Sequence, residues 1–416
     1  MRLLVAAAFA ALSLVLLGGV QAPSASASGL IRFGIQDDAW LTHGPGTLDE
    51  RLDQIQSLGV DLVRLNLHWN EIEPTQGSPD WDESDAVLRG LRQRKIAALV
   101  GLVGSPRWAN GGRAPNFAPK AADFAEFARG AAVRYRWVRD WLVWNEPNQA
   151  RWLRPTSPAV YVRSLLNPAY KAIHSVNRRA RVGGGVTAPR AGSNGVSPVT
   201  WIRGMKKARA RLDAYAHHPY PGRPTDTPFA GGCAQATCTT ITMATLERLL
   251  VETRRAFGPK RIWLTEYAYQ TGRFGVSERR QAELIGQSAL RASRAPRVDM
   301  LIHYLVRDEP QESRFQSGLF RLSGAAKPAA AAFSLPLAFA GRSRGKAVLW
   351  GQVRPRAGRQ TYRLQARYGR TWRPLGSVRR TSARGFLSAA VNVPRGTLVR
   401  LYSPRDKAYS TPIVVR

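Results

Sequence analysis

Cysteine is scarce in this chain, two among 416 residues, and so are methionine (four) and histidine (six). Two cysteines cannot build a disulfide scaffold or a cysteine-rich metal cluster. Acidic residues are few as well: 28 Asp and Glu stand against 62 Lys and Arg, for a formal charge of +34. With 37 Gly and 27 Pro there is no collagen-like or low-complexity bias. After the N-terminus no apolar run is long enough to span a bilayer. What is present is core-forming material: 44% of residues are hydrophobic and 9% aromatic, which excludes a disordered chain. The length suggests two domains.

The N-terminus reads Met1-Arg2, then an apolar run from Leu3 to Val20, then small residues ending Ala25-Ser26-Ala27. That is the pattern of a secretory signal peptide over residues 1–27, with the mature chain starting near Ser28. Export fits the cysteines. Cys233 and Cys238 lie in a Gly- and Thr-rich stretch and are expected to pair, stiffening one loop by about 2 kcal/mol in the chain-entropy model. The expected location is extracellular or cell-wall associated. A basic chain invites a nucleic-acid partner, which export argues against.

From Ile31 to Pro336, short apolar runs alternate with amphipathic runs of helical length. The apolar runs are Ile31–Gln36, Val60–Leu67, Ala97–Val103, Trp137–Trp144, Arg181–Val186, Leu212–Ala216, Arg261–Leu264 and Val298–Leu305. The helical patterns include Ala121–Tyr135, Ser157–Asn177 and Met243–Phe257. Eight such units of roughly 38 residues predict a (β/α)8 barrel, a TIM barrel, over residues 28–336. An open doubly wound sheet would need a Gly-rich turn after the first strand, where Asp37-Asp38-Ala39-Trp40 stands instead. Beyond Pro336 the helical period disappears. Residues 337–416 carry short strand-like runs and predict a small all-β sandwich of immunoglobulin or fibronectin type. This segment holds 16 Arg and 2 Lys against a single acid, half of the whole charge.

In a barrel of this type, chemistry sits at the C-terminal ends of the strands. Glu146 closes the fourth apolar run and Glu266 the seventh, 120 residues apart. That spacing sets both at the same end, facing across the mouth. A pair of carboxylates flanking a pocket is the equipment of glycoside hydrolysis. Pro147 is expected to hold Glu146 in extended backbone. The pKa of Glu146 is expected to rise beside an ionised partner.

The segment Trp144-Asn145-Glu146-Pro147-Asn148 resembles the acid/base signature of clan A glycoside hydrolases, which are retaining enzymes on (β/α)8 barrels. His218-Pro219-Tyr220 resembles the clan's His-x-Tyr at strand six, and Arg64 its strand-two arginine. The run Trp69-Asn70-Glu71-Ile72-Glu73-Pro74 through Gly77 and Trp81 is similar to secreted members related to family 39 and the cellulase-like family 5. The resemblance spans about Ile31–Pro336. It implies Glu266 as nucleophile, Glu146 as acid/base, Asn145 on the sugar 2-hydroxyl, Tyr220 donating to Glu266, His218 holding a hydroxyl or the acid/base, and Arg64 steadying the nucleophile. At strand eight the sequence departs from the clan: Tyr304 stands where many members carry Trp. Trp40, Trp69, Trp108, Trp152 and Tyr304 are candidate faces for sugar stacking, while Trp201 and Trp263 read as core and His217 as a packed core histidine.

No cofactor or metal is called for, and a monomer is expected. The alternative to an enzyme is a non-catalytic glycan-binding or wall-associated protein on a degenerate barrel. Three readings of the basic tail stay open: a carbohydrate-binding domain, a tether to an anionic cell-wall polymer or polysaccharide, or a solvated surface with no partner. Arginines at alternate positions, such as Arg354, Arg356 and Arg363, are expected on a solvated strand face.

Overall fold

Apolar runs with no alternation are the mark of strands covered on both faces, and that is how they fold here. The computed structural model describes residues 31–233, 235–354 and 357–416; the expected signal peptide and Arg356 lie outside them. Eight strands pair in parallel and in sequence order: β1 (Arg32–Gln36), β2 (Leu62–His68), β3 (Ala97–Val103), β4 (Asp140–Val143), β5 (Arg181–Thr187), β6 (Ala214–His217), β7 (Arg261–Tyr267) and β8 (Val298–Tyr304). β8 returns to pair with β1, with Ile35 opposite His303, and closes the barrel.

Side chains fill the interior: Leu62, Leu99, Leu142, Trp263, Met300 and Ile302 form one buried cluster. Room for the Trp263 ring comes from Gly183, where a Cβ would lie 2.7 Å from ring atoms. A larger cluster joins the outer strand faces to the helices, including Phe124, Phe127, Tyr161 and Trp201. Short polar residues start several of these helices as the capping rules require. Thr47 forms a full capping box with Glu50, and Ser197 and Ser277 each accept from a backbone N–H three residues on. The expected helix over Ser157–Asn177 is one continuous stretch with a π-helical turn, Tyr161–Leu166, inside it. No described helix is long and apolar enough to cross a membrane.

The last nine strands are β9 (Leu337–Ser343), β10 (Lys346–Gln352), β11 (Thr361–Tyr368), β12 (Thr371–Pro374), β13 (Arg379–Arg380), β14 (Phe386–Val391), β15 (Leu398–Ser403), β16 (Ala408–Tyr409) and β17 (Ile413–Val414). They form two antiparallel sheets, β14-β10-β9 and β12-β11-β15-β16, with β13 and β17 attached to β11 and β15. Inward residues such as Leu349, Leu364, Leu387 and Leu401 make a separate core between the sheets. The architecture is a TIM barrel followed by a β sandwich.

The sandwich is packed onto the barrel. Ala338 and Trp350 belong to the barrel's own core cluster. A Cβ on Gly286 would sit 2.4 Å from the Leu337 carbonyl oxygen, so the helix Glu278–Arg294 touches backbone there. Arg384 donates to the Ile31 carbonyl. Arg354 corrects the expectation of a solvated face. It is 8% exposed, and its guanidinium lies 3.9 Å from the Phe33 ring centroid and 4.6 Å from that of Phe333. A cation over aromatic faces is favourable when desolvated, so this arginine serves the junction. Arg363 is exposed as expected.

Candidate active site

The C-terminal ends of the strands deliver their residues to one cleft of about 700 Å³. Arg64, on β2, is fully buried beneath it. Its Nη1 donates to Glu266 Oε1 at 2.8 Å and to the Thr265 carbonyl at 3.0 Å. Its Nη2 donates to Asn145 Oδ1 at 2.7 Å. Glu266, on β7, receives a second bond on Oε2 from the Tyr220 hydroxyl at 3.1 Å. Burial holds that phenol well above its ordinary pKa, so Tyr220 remains a donor.

Glu146 sits in the turn after β4. Its Oε1 lies 3.0 Å from His218 Nδ1, and its Oε2 accepts from Arg151 Nη2 at 3.0 Å. The donor and acceptor roles of the two His218 ring nitrogens follow from its other side. Nε2 is 3.0 Å from Arg64 Nη1, and a guanidinium can only donate. Nε2 therefore shares the two Nη1 protons as an acceptor with Glu266 and the Thr265 carbonyl, and Nδ1 is the nitrogen that donates to Glu146. Oxygens of Glu146 and Glu266 and a nitrogen of His218 all lie within 4.8 Å of one another. This trio does not suit a metal ion. Both ring nitrogens are engaged, and the Arg64 cation already faces the cluster.

Two expectations about Glu146 are corrected. Its φ is +38°, and that of Trp144 is +70°, so neither is extended. The chain turns at once, with Gln149 N–H bonding the Glu146 carbonyl at 2.9 Å. Pro147 disfavours the right-handed helical region for its predecessor, and Glu146 takes positive φ instead of the extended backbone expected there. Strained backbone of this kind gathers at functional sites. The second correction concerns protonation. Burial pushes the Glu146 carboxyl upward, but the bond from His218 and the Arg151 cation outweigh it. The group is held below the usual carboxylate range.

The aromatic candidates separate. Trp152 is 37% exposed and lines the cleft, as does Tyr304, which meets the Tyr220 ring edge-on at 6.4 Å. Trp69 is fully buried and is no sugar platform. Its ring stacks on Phe127 at 5.1 Å, and its Nε1 donates to Glu73 Oε2 at 2.8 Å. Trp108 packs edge-on against Trp69 at 5.4 Å, donates to the Glu73 carbonyl and does not line the cleft. Trp40 is buried in the same core. The run from Trp69 to Gly77 is thus a structural turn, with Glu73 Oε1 also accepting the Gly77 N–H. His217 is a core residue, bonded to Thr187 and the Ile241 carbonyl and kept neutral by burial. Cys233 and Cys238 form a disulfide.

Cleft residues without an expected role include Asp38, Asn66, Gln149, Phe274 and Phe315. Asp38 accepts from Asn66 Nδ2 at 2.7 Å, and burial raises its pKa. Asp38 and Asn66 stand at strand ends and could have been found by that rule. Phe274 and Phe315 come from loops with no readable pattern. Arg151 was equally hidden, and only its place five residues after Glu146 hints at a role.

A closed parallel barrel with paired carboxylates at its mouth defines a class of glycosidases, and the comparisons with known proteins bear on it directly. Residues 118–333 match the Glycosyl hydrolase catalytic core family, just over half of the chain, and the chain belongs to that family. It is a glycosidase. No curated protein matches the chain. Its fold is similar to that of a family 39 glycoside hydrolase from Bacteroides cellulosilyticus, with TM-score 0.63 and 18% identity over 86% of this chain and 79% of the other. It is also similar to an exo-β-1,4-mannosidase from Opitutaceae bacterium strain TAV5, with TM-score 0.53 and 20% identity over 73% of this chain and 58% of that one. A third solved relative is GH5_18 from Streptomyces cattleya, with TM-score 0.52 and 15% identity over 72% and 78%. At these identities the likeness is one of fold.

Proposed function

We propose that this chain is a secreted, retaining glycosidase that cleaves β-glycosidic bonds of a polysaccharide or glycoconjugate through Glu266 and Glu146. The observation that carries the reading is the carboxylate pair, with oxygens within 4.8 Å, each glutamate held by a different set of donors. Retaining enzymes keep their carboxyl groups about 5–5.5 Å apart, whereas inverting ones need about 6.5–9.5 Å to admit a water.

Glu266 is the nucleophile. The Arg64 guanidinium and the Tyr220 hydroxyl hold its carboxylate by one bond on each oxygen and aim it. Its carboxylate forms a bond to the anomeric carbon as the bond to the leaving oxygen breaks. Glu146 gives that oxygen a proton, then takes one from the water that attacks the glycosyl ester. Asn145 spends its carbonyl on Arg64 and leaves its NH2 for the sugar 2-hydroxyl. Trp152 and Tyr304 supply stacking faces on the cleft wall.

The test is Glu266→Gln assayed across a panel of β-linked glycans. Loss of at least about a thousandfold in rate is expected, because no covalent intermediate can form. Full activity in that variant would remove the nucleophile assignment. For the basic sandwich we propose contact with an anionic cell-wall polymer or polysaccharide, resting on its +17 charge and on exposed arginines such as Arg363 and Arg367. Such binding weakens with added salt.

A further inference from the structure

In the observed arrangement the proposed acid/base cannot act as an acid. Glu146 Oε2 accepts from Arg151, and Oε1 accepts from the Nδ1–H of His218. Arginine has no acceptor to share a proton with. A proton on Oε2 would therefore face a guanidinium N–H at 3.0 Å. Acid catalysis needs Arg151 to leave.

Arg151 is built to leave and His218 is not. The His218 side chain is fully buried, whereas that of Arg151 is 69% exposed. Arg151 is held otherwise by the Trp152 ring, whose centroid lies 5.5 Å from its guanidinium carbon. It forms part of the wall of both the catalytic cleft and an adjoining hollow of about 440 Å³. A guanidinium taken from one carboxylate is best satisfied by another, since the bond exchanged is of the same kind. The same wall carries Arg223 and Arg190, the latter donating to the Pro221 carbonyl at 2.7 Å. The acids of the cleft are otherwise engaged: Glu266 by Arg64 and Tyr220, Asp38 by Asn66.

We propose that Arg151 is a latch on Glu146, opened by a carboxylate on the leaving-group side of the substrate, so that the enzyme prefers glycosides whose aglycone is acidic. This rests on the catalytic reading above and adds to it a substrate class and a positioning residue. With the latch closed Glu146 is ionised. When the aglycone carboxylate takes Arg151, Glu146 loses its cation, takes up a proton from solvent and becomes the acid. The other charged or titratable groups around Glu146 are His217 at the end of β6, His218 and Tyr220 just after it, Glu266 on β7, Arg190 after β5 and Arg64 on β2. Each is buried or half-buried in the cleft wall or beneath its floor, which leaves Arg151 as the mobile charge.

The test compares 4-carboxyphenyl glycosides with their neutral methyl esters in wild type and Arg151→Gln. For wild type and the acid, the basic limb of kcat should lie at least about one pH unit above that of kcat/KM, since kcat reports the complex and kcat/KM the free enzyme. With the ester the two limbs should coincide. In Arg151→Gln the kcat/KM limb should rise by about one unit and the preference for acid over ester should fall at least about tenfold. A second readout needs no turnover. The 13C resonance of the Glu146 carboxyl, assigned with Glu146→Gln, should titrate higher in Arg151→Gln, and higher in wild type when 4-hydroxybenzoate is added. An unmoved titration in the variant, or a wild type with no preference for the acid, overturns the latch. Should Glu266→Gln retain hydrolysis, the catalytic reading fails instead, and the NMR result still stands or falls alone.

Discussion

At the scale of single residues, the two glutamates were readable because each follows an apolar run at the chemically competent end of a strand. Their partners were readable only in part. His218 and Tyr220 follow a strand end too, Arg64 lies inside β2, and the three meet the glutamates at 2.8–3.1 Å. Tryptophans misled, since a residue name says nothing about which side of a turn its ring takes. Trp69 and Trp108 turned inward onto Glu73 and the helix Ala121–Arg134, while Trp152 stayed at the cleft. The charge on Glu146 is hidden from the sequence for a similar reason, because no spacing rule foretells that Arg151 closes over it. Replacing Glu146 by Ala should lower hydrolysis of substrates with poor leaving groups by about a hundred- to ten-thousandfold. Substrates with activated leaving groups should suffer much less in the first step, and a uniform loss over both would argue against an acid role.

Residue chemistry also sets the response to pH. His303 is buried, its pKa lowered from 6.5 to about 4, and His217 is lowered to about 3. Unfolded, each would take up a proton near pH 6.5, so the unfolded chain binds more protons below that pH. Their contribution to stability is present above about pH 6.5 and is lost as pH falls toward 4, by roughly 3 kcal/mol for His303. Melting temperatures measured from pH 7 to 4 should decline through this window. A His303→Gln variant should show a shallower decline, and an identical slope would exclude His303 as the source.

At the scale of elements, strand order was legible because a doubly covered strand is a continuous apolar run. Limits were less so. The run Trp137–Trp144 yields a strand only over Asp140–Val143, because Val138 N–H bonds back to the Tyr135 carbonyl and closes a turn first. Arg92 also stacks on Trp137 outside the sheet. The turn after β4, with Trp144 and Glu146 at positive φ, was beyond a reading of propensities, since both residues disfavour that region. Gly183→Ala offers a test of barrel packing: its methyl group would meet both Trp263 and Leu142 within 2.8 Å. A loss of about 1–3 kcal/mol is expected in denaturant melts. A neutral effect would mean that the interior gives way more easily than these contacts imply.

At the scale of the whole molecule, the change of texture at Pro336 marks a change of architecture but not an independence of parts. Trp350 and Ala338 complete the barrel's core, and Arg354 is clamped between Phe33 and Phe333. Removing residues 337–416 should therefore abolish cooperative unfolding of the barrel rather than release it intact. A truncated chain melting at the full-length temperature would contradict this. The tether is accordingly better examined with Arg363→Glu and Arg367→Glu, which sit on the exposed face of β11 and leave that junction alone. Weaker low-salt retention on an anionic polymer such as teichoic acid supports tethering, and unchanged retention rules it out for this face.

The central claim is that Glu266 becomes covalently glycosylated. The direct measurement is mass spectrometry of the protein after exposure to a panel of 2-deoxy-2-fluoro glycosyl fluorides, which slow the second step more than the first. The account predicts that one sugar of the panel adds its glycosyl mass to a peptide containing Glu266, and that Glu266→Gln takes up none. Label on another carboxylate, or equal labelling of the variant, would contradict it.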